Sequence, residues 1–140
     1  MIYTNSDGGA RGNPGIGAIG VIVRKDDKIL IRYSEKIGNF VTNNIAEYES
    51  LIKSLELASG ITDQEVTCIL DSELIVKQLL GEYKVRNPRL LELFLKVQRQ
   101  QDKFQKITYK CVSRDDPYQV IVDELLNQEL DRYFPKKYIK

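Results

Sequence analysis

Three strand-forming segments crowd the first 36 residues, and this crowding limits the fold more than any other feature of the chain. Ile2 to Ser6, Gly17 to Arg24 and Lys28 to Lys36 are rich in residues that suit a pleated sheet. The stretch "KDDK" (Lys25 to Lys28) supplies a tight turn between the second and third. The chain therefore opens as an antiparallel meander.

After the meander, strands and helices alternate. From Asn44 to Ser59 the apolar positions Tyr48, Leu51, Ile52, Leu55 and Ala58 follow helical spacing, and Gly60 stands where the helix should stop. Asn44 with Glu47 three residues on resembles a capping box. Glu65 to Asp71 is a β-branched run ending in a carboxylate, followed by Ser72 as N-cap and a short helix closed by Gly81. Asn87 to Phe104 predicts another helix with Pro88 in its first turn, and Lys106 to Ser113 a last strand. Asp116 as N-cap, Pro117 and Gln119 announce a final helix with an apolar stripe of Val122, Leu125, Leu126 and Leu130. This order implies an α/β fold, a mixed sheet with helices packed on it. At 140 residues and 16.1 kDa, residues 1–140 fit one domain.

Composition narrows the chemistry. The chain has no histidine, which excludes Ser/His/Asp triads, Cys/His dyads and His-ligated zinc. Cys68 and Cys111 fall on strands expected to be neighbours, and read as small buried residues rather than a disulfide. No apolar run approaches a membrane span, and the N-terminus has no signal-like pattern, so the expected location is cytoplasmic. A net charge of +1 means that any polyanion must be bound by a local patch. Lys84, Arg86 and Arg89 come nearest to one, although three charges in a connecting loop are equally a solvated surface.

Four acids stand apart from the rest. Asp7 ends the first strand and Asp71 the fourth; if these strands are adjacent and parallel, both carboxylates emerge at the carboxyl edge, where open α/β sheets bind ligands. Glu47 shares a helix face with Leu51, Ser54 and Ala58, and Asp123 with Leu126 and Leu130, so both are expected to point inward. Singly, such acids are often turn residues or helix-dipole partners. Converging without histidine or cysteine, they would repel one another unless hard divalent cations such as Mg²⁺ or Mn²⁺ neutralised them. The physical reading is a two-metal site for phosphoryl chemistry.

Four blocks, "DGGARGNPG" (Asp7 to Gly15), "TNNIAEYESLIKSL" (Thr42 to Leu55), "LDSELIVKQLLGEYKVRNPRL" (Leu70 to Leu90) and "VSRDDPYQVIVDELLNQELD" (Val112 to Asp131), resemble the signature blocks of type 1 ribonuclease H, in order and across nearly the whole chain. The resemblance implies the ribonuclease H-like fold: a five-stranded mixed sheet, order 3-2-1-4-5, with helices on both faces. It implies an endonuclease that hydrolyses the RNA strand of RNA/DNA hybrids, leaving 5′-phosphate and 3′-hydroxyl ends, with two Mg²⁺ per site when substrate is bound and Mn²⁺ as a substitute. Asp7, Glu47, Asp71 and Asp123 would be both catalytic residues and metal ligands. Nucleic-acid contacts would come from Gly8, Gly9, Arg11, Gly12, Asn13, Asn43, Asn44, Ser72, Glu73 and Arg114, with the glycines letting the backbone approach 2′-hydroxyls in the wide minor groove.

The chain also departs from the family pattern. "RDDPYQ" stands where a loop histidine is usual, "QVIVD" replaces the usual asparagine and alanine before the fourth acid, and the long basic insertion between the middle helices is absent. The expected partner is an RNA/DNA hybrid, with double-stranded RNA a second candidate and a monomer as the default state. A non-catalytic nucleic-acid-binding module on the same fold is the alternative. A DNA-transposing relative would share the carboxylates but lack the glycine-rich and "TNN" blocks.

Overall fold

A computed structural model describes residues 1–133. Its elements in chain order are β1 (Ile2–Arg11), β2 (Gly15–Lys25), β3 (Lys28–Val41), α1 (Asn43–Ser59), β4 (Glu65–Leu70), α2 (Glu73–Leu79), α3 (Pro88–Gln101), β5 (Lys106–Cys111) and α4 (Pro117–Tyr133). The five strands form one sheet in the order β3-β2-β1-β4-β5. The β1/β2 and β2/β3 pairs are antiparallel, and the β1/β4 and β4/β5 pairs are parallel. The meander and the mixed sheet follow as the sequence implies.

Helices cover both faces. Val21 and Val23 of β2, Val66, Cys68 and Leu70 of β4, and Tyr48, Leu51 and Leu55 of α1 join Ile75, Leu93 and Val97 of α2 and α3 in the larger core. On the other face Ala18 packs with Leu126 and Leu130 of α4. Because β2 is covered on both sides, it is an almost continuous buried run from Gly17 to Arg24. Gly20 makes this possible: a Cβ there would lie 2.3 Å from the Val122 carbonyl oxygen, so α4 rests directly on strand backbone.

Several boundaries move from their expected places. β1 does not stop at Ser6 but stays paired with β2 as far as Arg11↔Ile16. β3 extends to Val41, with irregular register opposite Gly15 and Gly17. Thr42, not Asn44, caps α1: its hydroxyl accepts from the Ile45 N–H at 3.2 Å. The other expected caps hold, with Ser72 on α2 and Asp116 accepting from the Tyr118 and Gln119 N–H groups at 2.9 and 3.3 Å, while α3 starts at Pro88 as expected and is capped by Asn87. Cys68 and Cys111 lie on neighbouring strands as free thiols, but only Cys68 is buried; Cys111, at the end of the edge strand, is exposed. Among the described residues no helix is long and apolar enough to cross a membrane.

Candidate active site

The site begins where two strands part. β1 and β4 pair through Asn5↔Ile69 and no further. Asp7 lies two residues past that pair on β1, and Asp71 two past it just after β4 ends, so the carboxylates flank the gap at the carboxyl edge. Asp7 is thus a mid-strand residue, held on its other side by pairing with Gly20. Glu47 arrives from the first turns of α1, which can come close because residue 8 is glycine: a Cβ there would meet the Ala46 carbonyl oxygen at 2.1 Å. Gly8 therefore answers a packing demand before any demand from a ligand.

Asp7, Glu47 and Asp71 each place a carboxylate oxygen within 4.8 Å of the others. Asp123, on α4, stands outside that triad but lines the same cleft of about 370 Å³, together with Gly8, Gly9, Asn43, Arg114 and Asn127. Crowding raises the acids' affinity for protons. Burial, then the charges of Asp71, Glu47 and Asp123, push Asp7 from an ordinary value of 3.8 to about 8. Burial and then Asp71 push Glu47 to about 7, opposed by a hydrogen bond from Ser72 and the Arg114 charge. Asp71 is also raised, chiefly by burial, with Arg114 and a hydrogen bond from Gln119 working against it.

The expected nucleic-acid residues divide into those at the cleft and those with other tasks. Gly8, Gly9, Arg11, Asn43 and Arg114 line it, and at Gly9 an added Cβ would make only ordinary contacts, 3.6 Å or more away. Arg11 is a largely buried wall, its guanidinium 2.6 Å from Asp131 and 3.4 Å from Asn127 on α4. Asn43 accepts from the Ala10 N–H at 2.9 Å and donates its own N–H to Asn13 Oδ1 at 3.0 Å, which ties the β1–β2 hairpin to the start of α1. Gly12, at φ +83°, turns that hairpin. Asn44 is half-buried in the first turn of α1. Ser72 caps α2 and touches Glu47, whereas exposed Glu73 pairs with Lys77 at 2.9 Å. Lys84 and Arg86 are exposed away from the cleft, and Arg89 pairs with Glu92 and Glu49.

Two residues at or beneath the cleft had no site role assigned from the sequence. Asn127 donates to the Asp123 carbonyl oxygen at 2.8 Å and lines the cleft; its i+4 spacing from Asp123 was the available signal. Gln119 does not return to the cap of α4 as a capping box requires. It is buried against β1, accepting from Asn5 Nδ2 at 3.0 Å and donating to the Ser6 carbonyl oxygen at 3.2 Å.

Comparison with known proteins gives a consistent set of likenesses. A family model described as reverse transcriptase-like matches residues 5–119. A bifunctional protein of Mycobacterium tuberculosis is 36% identical over 132 residues, which make up 93% of this chain and 35% of that protein. The chain thus spans about a third of the length of the curated relatives it first matches, 35% of each. The crystal structure of LC11-RNase H1, isolated from compost, in complex with an RNA/DNA hybrid, superposes with a TM-score of 0.88 at 37% identity, covering 95% of this chain and 99% of that one. RNase H1 from the archaeon Halobacterium salinarum superposes with a TM-score of 0.87 at 31% identity, covering 94% and 98%.

Proposed function

The chain belongs to the type 1 ribonuclease H family, and from that membership we propose that residues 1–140 form a single catalytic domain that hydrolyses the RNA strand of RNA/DNA hybrids. The observation that carries this reading is the carboxylate triad of Asp7, Glu47 and Asp71 within 4.8 Å, with Asp123 on the same cleft.

The donor set fits a hard divalent cation. Its ligands are all carboxylate oxygens, and burial together with mutual repulsion raises Asp7 to about 8 and Glu47 to about 7, a proton affinity that a bound cation would offset. Asp7, Glu47, Asp71 and Asp123 would hold Mg²⁺ or Mn²⁺, two ions once substrate is bound. When bound, the ions supply water activation at neutral pH and stabilisation of charge on the leaving 3′-oxygen, which gives 5′-phosphate and 3′-hydroxyl ends.

The protein's own groups do the rest. Asp7 must give up its proton on loading, which makes cation affinity rise with pH. Arg114, exposed at the rim and already drawing Glu47 and Asp71 down, presents a cation to an incoming phosphate. Gly9 leaves backbone open to the cleft, suited to a 2′-hydroxyl of the RNA strand. The Asn13–Asn43 bridge keeps the hairpin and α1 at a fixed separation along the groove they border. LC11-RNase H1, the relative seen with a hybrid, supports the choice of duplex.

The test is cleavage of matched RNA/DNA, RNA/RNA and DNA/DNA duplexes by wild type and Asp7→Asn, with Mg²⁺, Mn²⁺ or chelator. Metal-dependent cutting of the hybrid's RNA strand that disappears in the variant is expected, and cutting of RNA/RNA would widen the substrate class. Tight hybrid binding by wild type without cutting under either metal would leave a binding module instead.

A further inference from the structure

Beneath the cleft runs a chain of buried polar side chains that the proposed reaction does not use. Arg24 of β2, 8% exposed, donates from Nε to Asn5 Oδ1 at 3.1 Å and from Nη1 to the Asp26 carbonyl oxygen at 2.7 Å. Its guanidinium carbon lies 4.4 Å from the Tyr3 ring centre and 3.9 Å from that of Tyr118. Asn5, fully buried, donates from Nδ2 to Gln119 Oε1, and Gln119, 1% exposed, donates from Nε2 to the Ser6 carbonyl oxygen. Asp7 is the next residue along β1.

The direction of this chain is fixed at one end. A guanidinium only donates, so Asn5 must turn its oxygen toward Arg24 and its amide nitrogen toward Gln119. Gln119 must then meet Asn5 with oxygen, which leaves its NH₂ group facing β1 and the acids. Were the amides reversed, a carbonyl oxygen would face the Ser6 carbonyl oxygen. Arg24 thus sets, two side chains away, that a donor and not an acceptor is presented at the floor of the site.

The same residue fixes α4. Gln119 is in the first turn of that helix, and Asp123 is four residues on, along the same face. Tyr118 beside it is held by Arg24 and by a hydrogen bond to Asp27 at 2.9 Å. We infer that Gln119, its amide oriented by Arg24 through Asn5, is a positioning residue that sets Asp123 and α4 in register with Asp7 on β1. Through the Ser6 carbonyl oxygen on β1 and the helix that carries Asp123, Gln119 addresses two of the four acids while being neither of them.

This inference rests on the reading of the acids as a cation-binding nuclease centre, and its test keeps the two separable. Gln119→Met preserves length and removes every donor. Mn²⁺ binding measured by calorimetry, without substrate, is expected to weaken at least threefold. On hybrid, kcat at saturating metal is expected to fall at least tenfold with KM within twofold of wild type. Gln119→Asn, one methylene short but with the amide intact, should recover part of both losses. Where Gln119→Met fails to fold, Arg24→Met carries the test: it leaves Gln119 in place, frees the amides to reverse and should weaken Mn²⁺ binding by a similar factor. Mn²⁺ affinity and kcat within twofold of wild type in the folded variant, whatever its Tm, overturn the positioning role. Wild type that binds Mn²⁺ but cuts no hybrid overturns the nuclease reading alone.

Discussion

Asp7 experiences the site's electrostatics most strongly, being 9% exposed with two other carboxylates close by. Below pH 3.8 it is protonated in the folded and the unfolded chain and has no effect on stability. Between 3.8 and about 8 the unfolded chain releases the proton while the folded chain retains it, so stability falls as pH rises through that window. Above about 8 the loss is complete. Asp7→Asn removes it. Without metal, thermal unfolding at pH 8 should give a Tm above wild type by several degrees, on the order of 1–3 kcal/mol; at pH 4 the two proteins should unfold together. A difference that does not change with pH would mean that Asp7 is not the proton-loaded group. Residue by residue, the acids were legible because strand ends and helix faces constrain where a carboxylate can point. Gln119 was not, because its spacing from Asp116 equally suits a cap, and only the proximity of β1, more than 100 residues earlier, decides between the two roles.

Elements meet here by unusually close backbone approach, and glycine marks the places. At Gly20 a Cβ would stand 2.3 Å from the Val122 carbonyl oxygen and 3.0 Å from the Leu126 nitrogen, so Gly20→Ala must push α4 off the sheet. A loss of about 2–4 kcal/mol in urea unfolding is expected, within the range of overpacked or strained core substitutions, together with a fall in cleavage because Asp123 rides on α4. Gly60→Ala is the control. That cap residue is in ordinary helical conformation at φ −77°, and its nearest neighbour would be 3.5 Å away, so the change should be neutral or stabilise by up to about 1 kcal/mol. Equal losses at both positions would refute the close-approach account. Element type and order were readable from periodicity and caps. The ends of β1 and α1 were not: Asn44 looked like the capping residue, but α1 begins one residue earlier, at Asn43, which is tied to Ala10 and Asn13 of the β1–β2 hairpin, and the cap passed to Thr42.

For the molecule as a whole, +1 net charge leaves little long-range field, so the dominant electrostatic feature is the acid cluster at one sheet edge. The early meander and later alternation implied a mixed sheet, since parallel partners of β1 can only come from strands that return by a helical crossover, whereas the order β3-β2-β1-β4-β5 was implied by the resemblance to type 1 ribonuclease H. The gap between β1 and β4 was beyond sequence reading, because it depends on pairing that stops at Asn5↔Ile69 while β1 itself runs on. That gap couples global stability to cation binding: the carboxylates are assembled only in the folded state, so an ion that binds them stabilises by mass action, about 2.7 kcal/mol at a hundredfold excess over Kd. Protons compete for the same oxygens, and Asp7 at about 8 and Glu47 at about 7 make the competition strongest below neutrality. Calorimetric scans with and without Mg²⁺ should therefore show a Tm increment that is large at pH 8, shrinks at pH 6 and nearly vanishes at pH 4.5. Asp7→Asn should shrink it at every pH. An increment as large at pH 4.5 as at pH 8 would place the ion elsewhere on the protein, and with it would go the claim that these four carboxylates are the centre of its chemistry.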